Sequence, residues 1–199
     1  TDAFWYFVMG SEYIQFGDEN LNEDGSKPII YISGASDYPG LIQNGYDGGN
    51  GYTRIRVYNI DVRAINDTTL ATGAGWLGQA YFCNSADYNF IINCSSDGDV
   101  NVNGGGIVGE HAAANGGNLE ITGCYAYGDI TDQAGGLVGY NAAIDNGYIQ
   151  IKSCYATGII DGDEAGGLVG KNAANNNATV DIIDCYTTGN VTGSESGGL

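Results

Sequence analysis

The sequence of 199 residues contains 34 glycines, only two prolines and 43% hydrophobic residues, which supplies a folded core and excludes a disordered or collagen-like chain. With six basic residues and a net charge of −18, it is expected to bind neither nucleic acid nor an anionic membrane surface, because both depend on lysine and arginine. No apolar run approaches the length of a membrane span, so no membrane insertion is expected.

The most apolar segment comes first, at residues 3–9, and two interpretations of it stay open. It is either a first strand buried over the core or a strand that adds to the sheet of a neighbouring subunit. The second interpretation predicts partners that are other protein subunits, joined by strand addition or end-to-end contacts. The residues that would make this contact are Phe4, Trp5, Tyr6, Phe7 and Val8.

Residues 1–72 are predicted to form a divergent N-terminal β cap or the first coils of a larger array. Residues 28–33 and 52–58 are rich in β-branched and aromatic residues, and the second run alternates with period two. Turns are predicted at Asp24-Gly25 and Asn44-Gly45. A cap of this kind would protect the terminal edge of a repeat array from pairing with other chains.

From residue 73 to residue 199 the sequence repeats with a period of about 30 residues. Two markers keep this spacing, which rules out a chance repeat. The first is a pair of glycines around two apolar residues, in copies that start at Gly75, Gly106, Gly136, Gly167 and, incompletely, Gly198. The second is a cysteine followed four positions later by glycine, at Cys94, Cys124, Cys154 and Cys185.

Each repeat is predicted to be one coil of a β-solenoid. Residues 119–121, 148–152 and 180–182 alternate apolar and polar side chains, as half-buried strands do. Clusters of Gly, Asn and Asp separate the short elements and suit turns, and no segment has helical spacing. Three short strands bury no face alone, but coils stacked about 4.8 Å apart bury a continuous core. The predicted fold class is therefore all-β, a β-solenoid.

Residues 134–141 (Ala-Gly-Gly-Leu-Val-Gly-Tyr-Asn) and 153–158 (Ser-Cys-Tyr-Ala-Thr-Gly) carry a family resemblance. They resemble the GLUG-motif repeat, which is named for its Gly-Leu-any-Gly core and is found in large secreted and cell-surface proteins. The resemblance covers about residues 73–199, and the first copy departs from it at Trp76 and Ser95. It implies an extracellular or surface, often adhesin-like, setting, and it names no reaction and no ligand.

Four aspartates lie in pairs around a glycine at predicted turns, namely Asp97, Asp99, Asp161 and Asp163. Aspartate and glycine are expected at turns for backbone reasons alone. Oxygen-rich loops also suit calcium, which is the one cofactor that the sequence suggests, and paired carboxylates can hydrolyse glycosidic bonds. His111 is the only histidine and takes a position that later copies fill with asparagine, so no histidine-rich zinc site is expected.

The four repeat cysteines are expected to stack as buried thiols. Strands about 4.8 Å apart hold parallel side chains too far apart for a disulfide, whose Cβ atoms lie about 3.8 Å from each other. Cys83 stands outside this series. If a bridge forms, the sequence favours Cys83 with Cys94, and the odd number of cysteines leaves at least one thiol unpaired.

The sequence favours a non-enzymatic extracellular or surface protein that is structural or adhesive, as a subunit of a filament or a particle surface. Rows of exposed tyrosines on its long sides would bind carbohydrate or protein. Asn66, Asn177 and Asn190 fit the acceptor pattern for N-glycosylation, and glycans there would suit a surface protein. The alternative function is a polysaccharide-acting β-helical enzyme that uses the turn carboxylates.

Overall fold

Two six-stranded parallel sheets wind together in the computed structural model, which describes residues 5–199. They form a β-solenoid of about six turns with roughly 31 residues in each, and residues 5–199 include no helix, so the predicted fold class is confirmed. The strands are β1 (Phe7–Val8), β2 (Gln15–Phe16), β3 (Ile29–Ser33), β4 (Ile42–Gln43), β5 (Arg56–Tyr58), β6 (Asp61–Ile65), β7 (Asn89–Ile92), β8 (Ser95–Ser96), β9 (Asn118–Thr122), β10 (Tyr125–Ala126), β11 (Tyr148–Lys152), β12 (Tyr155–Ala156), β13 (Thr179–Ile183) and β14 (Tyr186–Thr187).

Each turn contributes one strand to each sheet. The first sheet contains β2, β5, β7, β9, β11 and β13, and the second contains β3, β6, β8, β10, β12 and β14. The glycine marker forms a corner held by single bridges, such as the one between Val108 and Val138. At this corner the amides of Leu77 and Gly78 both donate to the carbonyl of Ile107, so the chain turns before a longer ladder can form. At the glycine marker, single bridges therefore take the place of one of the three short strands expected in each coil.

The core is built from the alternate positions that the sequence marks as apolar. Ile91, Ile121 and Ile151 lie in register on consecutive strands of the first sheet, and all three are fully buried. The small side chains of Ala142 and Ala143 are also buried, in the loop that follows the corner. Each inward side chain is thus covered by the equivalent one of the next coil, so neighbouring coils stabilise each other.

The first glycine marker is one residue out of step with the others. Its spacing predicts that Gly75 stacks on Gly106, but Gly75 pairs with Gly105 in the structure. Trp76 consequently takes the position that glycine fills in the later coils. The hydrogen bonds agree with this register, because the amide of Gly105 donates to the carbonyl of Ala74, which precedes Gly75.

Trp76 fits at this glycine position because Gly98, further along the same coil, has no side chain. The ring lies over Gly98, where an added Cβ would collide with it. Its Nε1 donates to the carbonyl oxygen of Asp99 at 3.1 Å, and its ring stacks on that of Tyr38 with the centroids 6.0 Å apart. The side chain is 1% exposed, so a large aromatic group replaces the close backbone contact of the later coils.

The N-terminal part of the chain belongs to the same solenoid, because β2, β3, β5 and β6 are the first strands of the two sheets. The strand before them, β1, pairs in parallel with β4 at the corner. The expectation of a buried first strand is not met in the described residues 5–9, since Trp5 and Val8 are 88% and 62% exposed and Met9 alone of these five enters the core. Tyr6 and Phe7 are exposed as well, and Phe4 lies outside the described residues.

Candidate functional site

The outer side of the second sheet carries a row of tyrosines, one from each of three consecutive coils. Tyr125, Tyr155 and Tyr186 are paired in register through β10, β12 and β14. Neighbouring rings stack almost parallel, with centroids 5.0 Å and 5.2 Å apart. Tyr127 lies beside these three tyrosines, and its hydroxyl is 3.2 Å from that of Tyr155. These four residues are called the tyrosine row below.

The stacking decides which part of the tyrosine row a partner can touch. Both faces of the Tyr155 ring are covered, one by Tyr125 and the other by Tyr186. Lys27 covers Tyr125, with its Nζ 4.1 Å from the ring centroid and donating to the hydroxyl at 2.9 Å. Burial raises the pKa of the Tyr155 phenol, which therefore stays protonated. Tyr125 and Tyr155 thus present ring edges and hydroxyl groups, and this part of the row suits hydrogen bonding better than stacking against a sugar ring.

The turn carboxylates of one coil bind the backbone of a neighbouring coil. Asp99 Oδ1 accepts a hydrogen bond from the amide of Asp129 at 3.0 Å. The carboxylate of Asp129 in turn accepts from the amide of Ile159 at 2.8 Å. Asp97 Oδ1 accepts from the amide of Ala64 at 2.9 Å. These side chains act as links between coils, which explains why aspartate recurs at this turn.

The second pair of aspartates does not complete a site with the first. Asp163 Oδ1 accepts from the amide of Ser194 at 2.9 Å, and Asp161 is exposed at its turn. Within residues 5–199, no group of three or more His, Cys, Asp or Glu side chains could hold a metal ion. The structure therefore does not gather the four predicted calcium ligands. Sequence reasoning missed two further links of this kind, Asp129 and Asp132, whose carboxylates accept from the amides of Ile159 and Asp163. Asp129 could have been found, because it follows Asp99 by one repeat length.

His111 occupies a column of residues that follow the corner. Its ring stacks on Tyr81 with the centroids 4.6 Å apart and the planes within 7°, and its Nε2 lies 3.1 Å from Asn141 Nδ2. All three residues have a positive φ between 54° and 60°. Asparagine adopts this conformation readily, so the column fits the repeat position at which the later coils have asparagine.

The repeat cysteines form a ladder of thiols inside the solenoid. Cys124 Sγ accepts a hydrogen bond from the amide of Cys94 at 3.3 Å, and the same arrangement joins Cys154 to Cys124 and Cys185 to Cys154. All five cysteines are free, so the bridge predicted between Cys83 and Cys94 is not formed. Cys83 lies in the loop after the corner, where its thiol is within hydrogen-bond distance of the carbonyls of Ala86 and Asn118.

Thiol labelling of the native protein is expected to modify Cys185 first, because it is the one cysteine that is partly exposed. Burial raises the pKa of Cys83 to about 12 and raises the pKa of Cys124 and of Cys185 as well, so the expected order rests on access of the reagent to the thiol. Iodoacetamide followed by mass spectrometry of peptides would measure the order, with guanidinium-unfolded protein as the control in which all five react. Equal labelling of Cys124 and Cys185 in the native state would contradict the buried ladder.

The predicted glycosylation sites lie on exposed turns. Asn66, Asn177 and Asn190 are all exposed, and Asn66 donates to Ser33 Oγ at 2.8 Å. Asn93, which also fits the acceptor pattern, is half-buried and donates to the side chain of Asn59. An enzyme that adds a glycan would therefore reach the first three more easily, and their modification stays a prediction.

No family model, curated protein or solved structure matches this chain. The resemblance of residues 73–199 to GLUG-motif repeats therefore stays a prediction. Across residues 5–199 there is no helix with the length and apolar character that a membrane crossing requires.

Proposed function

We propose that this chain is a non-enzymatic structural rod at a cell, filament or particle surface, where the tyrosine row contacts a partner. The tyrosine row carries the proposal, because it repeats one outward side chain at the spacing of the coils. Equivalent groups on a stiff support bind a repetitive surface many times over, and the combined affinity then exceeds that of a single contact. Tyrosine also suits exposed contacts, since it offers a large apolar ring and a hydroxyl.

The hydrogen bonds of the acidic side chains support a structural role. In an enzyme of the alternative class, two carboxylates flank the substrate bond and are free to exchange protons. Here Asp97, Asp99 and Asp163 each accept a hydrogen bond from a backbone amide of a neighbouring coil. Release of reducing sugar from a polysaccharide by the purified protein, lost on changing these aspartates to asparagine, would overturn the non-enzymatic proposal.

Assembly into a filament fits the exposed apolar residues at the N-terminal side. Trp5, just before β1, and Val8 within it are exposed, and β1 itself pairs with β4 of the same chain. Because β1 already has a partner on one side, a second subunit would contact its outer side chains or its remaining edge. The proposal therefore includes end-to-end contacts between subunits as a way to extend the rod.

Replacing Tyr127 and Tyr186 together with serine is expected to reduce adhesion at least about tenfold, because exposed tyrosines often dominate the binding energy of an interface. Beads coated with the whole chain would be counted on the surface of the source cells. Tyr88→Ser is the matched control, since Tyr88 is equally exposed but lies next to the first sheet. Adhesion that survives the double change, or that falls as much in the control, would remove the tyrosine row from the proposal.

A further inference from the structure

The first corner of the solenoid has an insertion that no later corner has. Ile42 pairs with Gly78, which lies 36 positions further on, whereas Gly78 pairs with Val108 after 30 positions. Two of the additional residues lie between β4 and β5, because Arg56 pairs with Phe90 after 34 positions, and the others lie between β6 and the next corner. The chain between β4 and β5 forms a small loop, in which Tyr46 and Gly49 pair with each other in antiparallel fashion. This loop stands beside the corner, and a cleft lies between the two.

The loop is held rigidly against the next coil. Asn44, which is buried, accepts from the amide of Tyr52 at 2.7 Å and donates to the carbonyl of Tyr52 at 3.1 Å. Asn84 of the following coil donates to the carbonyl of Gly49 at 3.1 Å. Because buried side-chain hydrogen bonds fix both ends of the loop, the wall that it provides is formed before any ligand arrives.

The cleft has a volume of about 270 Å³. This is slightly below the range of about 300 to 1,000 Å³ that is typical of pockets for drug-sized ligands, so it accommodates a small ring. Its lining combines aromatic rings with amide, carboxylate and hydroxyl groups, and no lysine or arginine is among its lining residues. The side chains that matter here are Gln43, Tyr46, Asp47, Thr72, Gln79 and Tyr81.

Two tyrosines at this cleft differ from Tyr125 and Tyr155 of the tyrosine row, because each has only one face covered by a partner described above. The Tyr46 ring lies flat over Gly49, where an added Cβ would collide with it, and the side chain is 60% exposed. Tyr81 stacks one face on His111. Both rings are thus backed by fixed groups while they line the cleft, which is the arrangement that stacking of a sugar ring requires.

The polar groups around these rings suit hydroxyl groups. Asp47 lies near Tyr81, since burial and then the Asp47 charge raise the pKa of that phenol. Gln79 is buried and donates from Nε2 to the carbonyl of Gly40 at 3.0 Å, so its amide is held in place. A carboxylate and a fixed amide next to aromatic faces favour a neutral ring with several hydroxyls, and the net charge of −18 disfavours an anionic one.

We propose that the cleft between Tyr46 and Tyr81 binds one neutral sugar ring of a glycan, with the ring stacked on tyrosine and its hydroxyls bonded to Asp47 and the glutamine amides. This rests on the surface function proposed above and adds to it a ligand class and a binding site. The cleft occurs once in the described part of the chain, so it binds a single sugar unit, whereas the tyrosine row contacts an extended surface.

Saturation-transfer NMR on the whole chain tests this site with the methyl glycosides of glucose, galactose, mannose and N-acetylglucosamine. At least one of them is expected to bind in the millimolar range. Tyr46→Ala and Asp47→Asn are each expected to weaken that binding at least about tenfold, because stacking and a charged hydrogen bond each contribute on the order of 1.4 kcal/mol or more. Tyr88→Ala, which changes an exposed tyrosine elsewhere, is expected to leave it unchanged.

Other outcomes would overturn the sugar site. One is the absence of binding for all four glycosides, and another is binding that Tyr46→Ala and Asp47→Asn both leave intact in variants with wild-type circular dichroism. Tighter binding of choline than of any glycoside would instead assign the cleft to cations, which aromatic rings next to a carboxylate also attract. Adhesion of coated beads that needs the tyrosine row but not Tyr46 would leave the surface function standing and reject the cleft alone.

Discussion

Replacing Trp76 with glycine is expected to lower the free energy of unfolding by about 4 kcal/mol, because removal of a buried tryptophan leaves a cavity. The hydrogen-bonded register places Trp76 opposite the glycines of the later coils, so this alignment alone would predict a stabilising change. The packing predicts the opposite, since the ring fills the space over Gly98 and packs against Tyr38. Urea unfolding followed by circular dichroism would measure the difference.

The matched control is Trp5→Gly, because Trp5 is 88% exposed. It removes the same side chain from the surface and is expected to change the free energy of unfolding by no more than about 0.5 kcal/mol. If Trp76→Gly were as stable as the wild-type protein, the close packing of the Trp76 ring over Gly98 would be refuted.

Replacing Gly158 with alanine is expected to lower the free energy of unfolding by about 3 kcal/mol, because the coils meet there backbone to backbone. A Cβ on Gly158 would collide with the carbonyl oxygen and carbon of Gly128, and neither atom can rotate away as a side chain does. The coils would have to move apart, which would disturb the inward packing on both sides. Thermal unfolding followed by circular dichroism would detect the loss.

Gly10→Ala is the control for this change. Gly10 is exposed, and an added Cβ would have no heavy atom within 4 Å. The alanine variant is expected to stay within about 0.5 kcal/mol of the wild type. Similar stability of Gly158→Ala and Gly10→Ala would mean that the coils do not approach each other as closely as described.

The solenoid could be predicted from the sequence because its two markers reflect direct physical needs. Glycine recurs where the backbones of neighbouring coils touch, as at Gly128 and Gly158, and cysteine recurs where a thiol accepts the amide of the coil before it. Alternation in β11 likewise follows from one face of the strand being buried. Each of these signals is local, and each repeats, so a single sequence reveals it.

The one-residue offset at Trp76 could not be predicted in this way. The glycines around Trp76 imitate the marker of the later copies, and only the hydrogen bonds between coils distinguish Gly75 from Ala74 as the partner position. The role of Asp99 was hidden for a similar reason. An aspartate next to a glycine suggests a turn or a cation site, whereas the partner of the Asp99 carboxylate is a backbone amide 30 positions further along the chain.

The free ring faces at the sugar cleft were also beyond sequence reasoning. A tyrosine at a repeat position predicts exposure, but in-register pairing stacks like rings and covers their faces, as at Tyr155. The ring of Tyr46 is not covered in this way, because Tyr46 lies in a loop without an equivalent in the next coil. The signal that was available is the Asn44-Gly45 turn, which indicates a loop but not the wall that the loop forms.

In both sheets each strand pairs only with strands of the coils before and after it. A gene encoding such a chain can therefore lengthen or shorten it in whole turns by in-frame duplication or loss of one repeat. Removal of the stretch from Tyr125 to Cys154, for example, would join Cys124 to Tyr155 and recreate a junction that the chain already contains. The distance that the rod spans can evolve in this way without redesign of its core, while the cleft at its first corner stays unique.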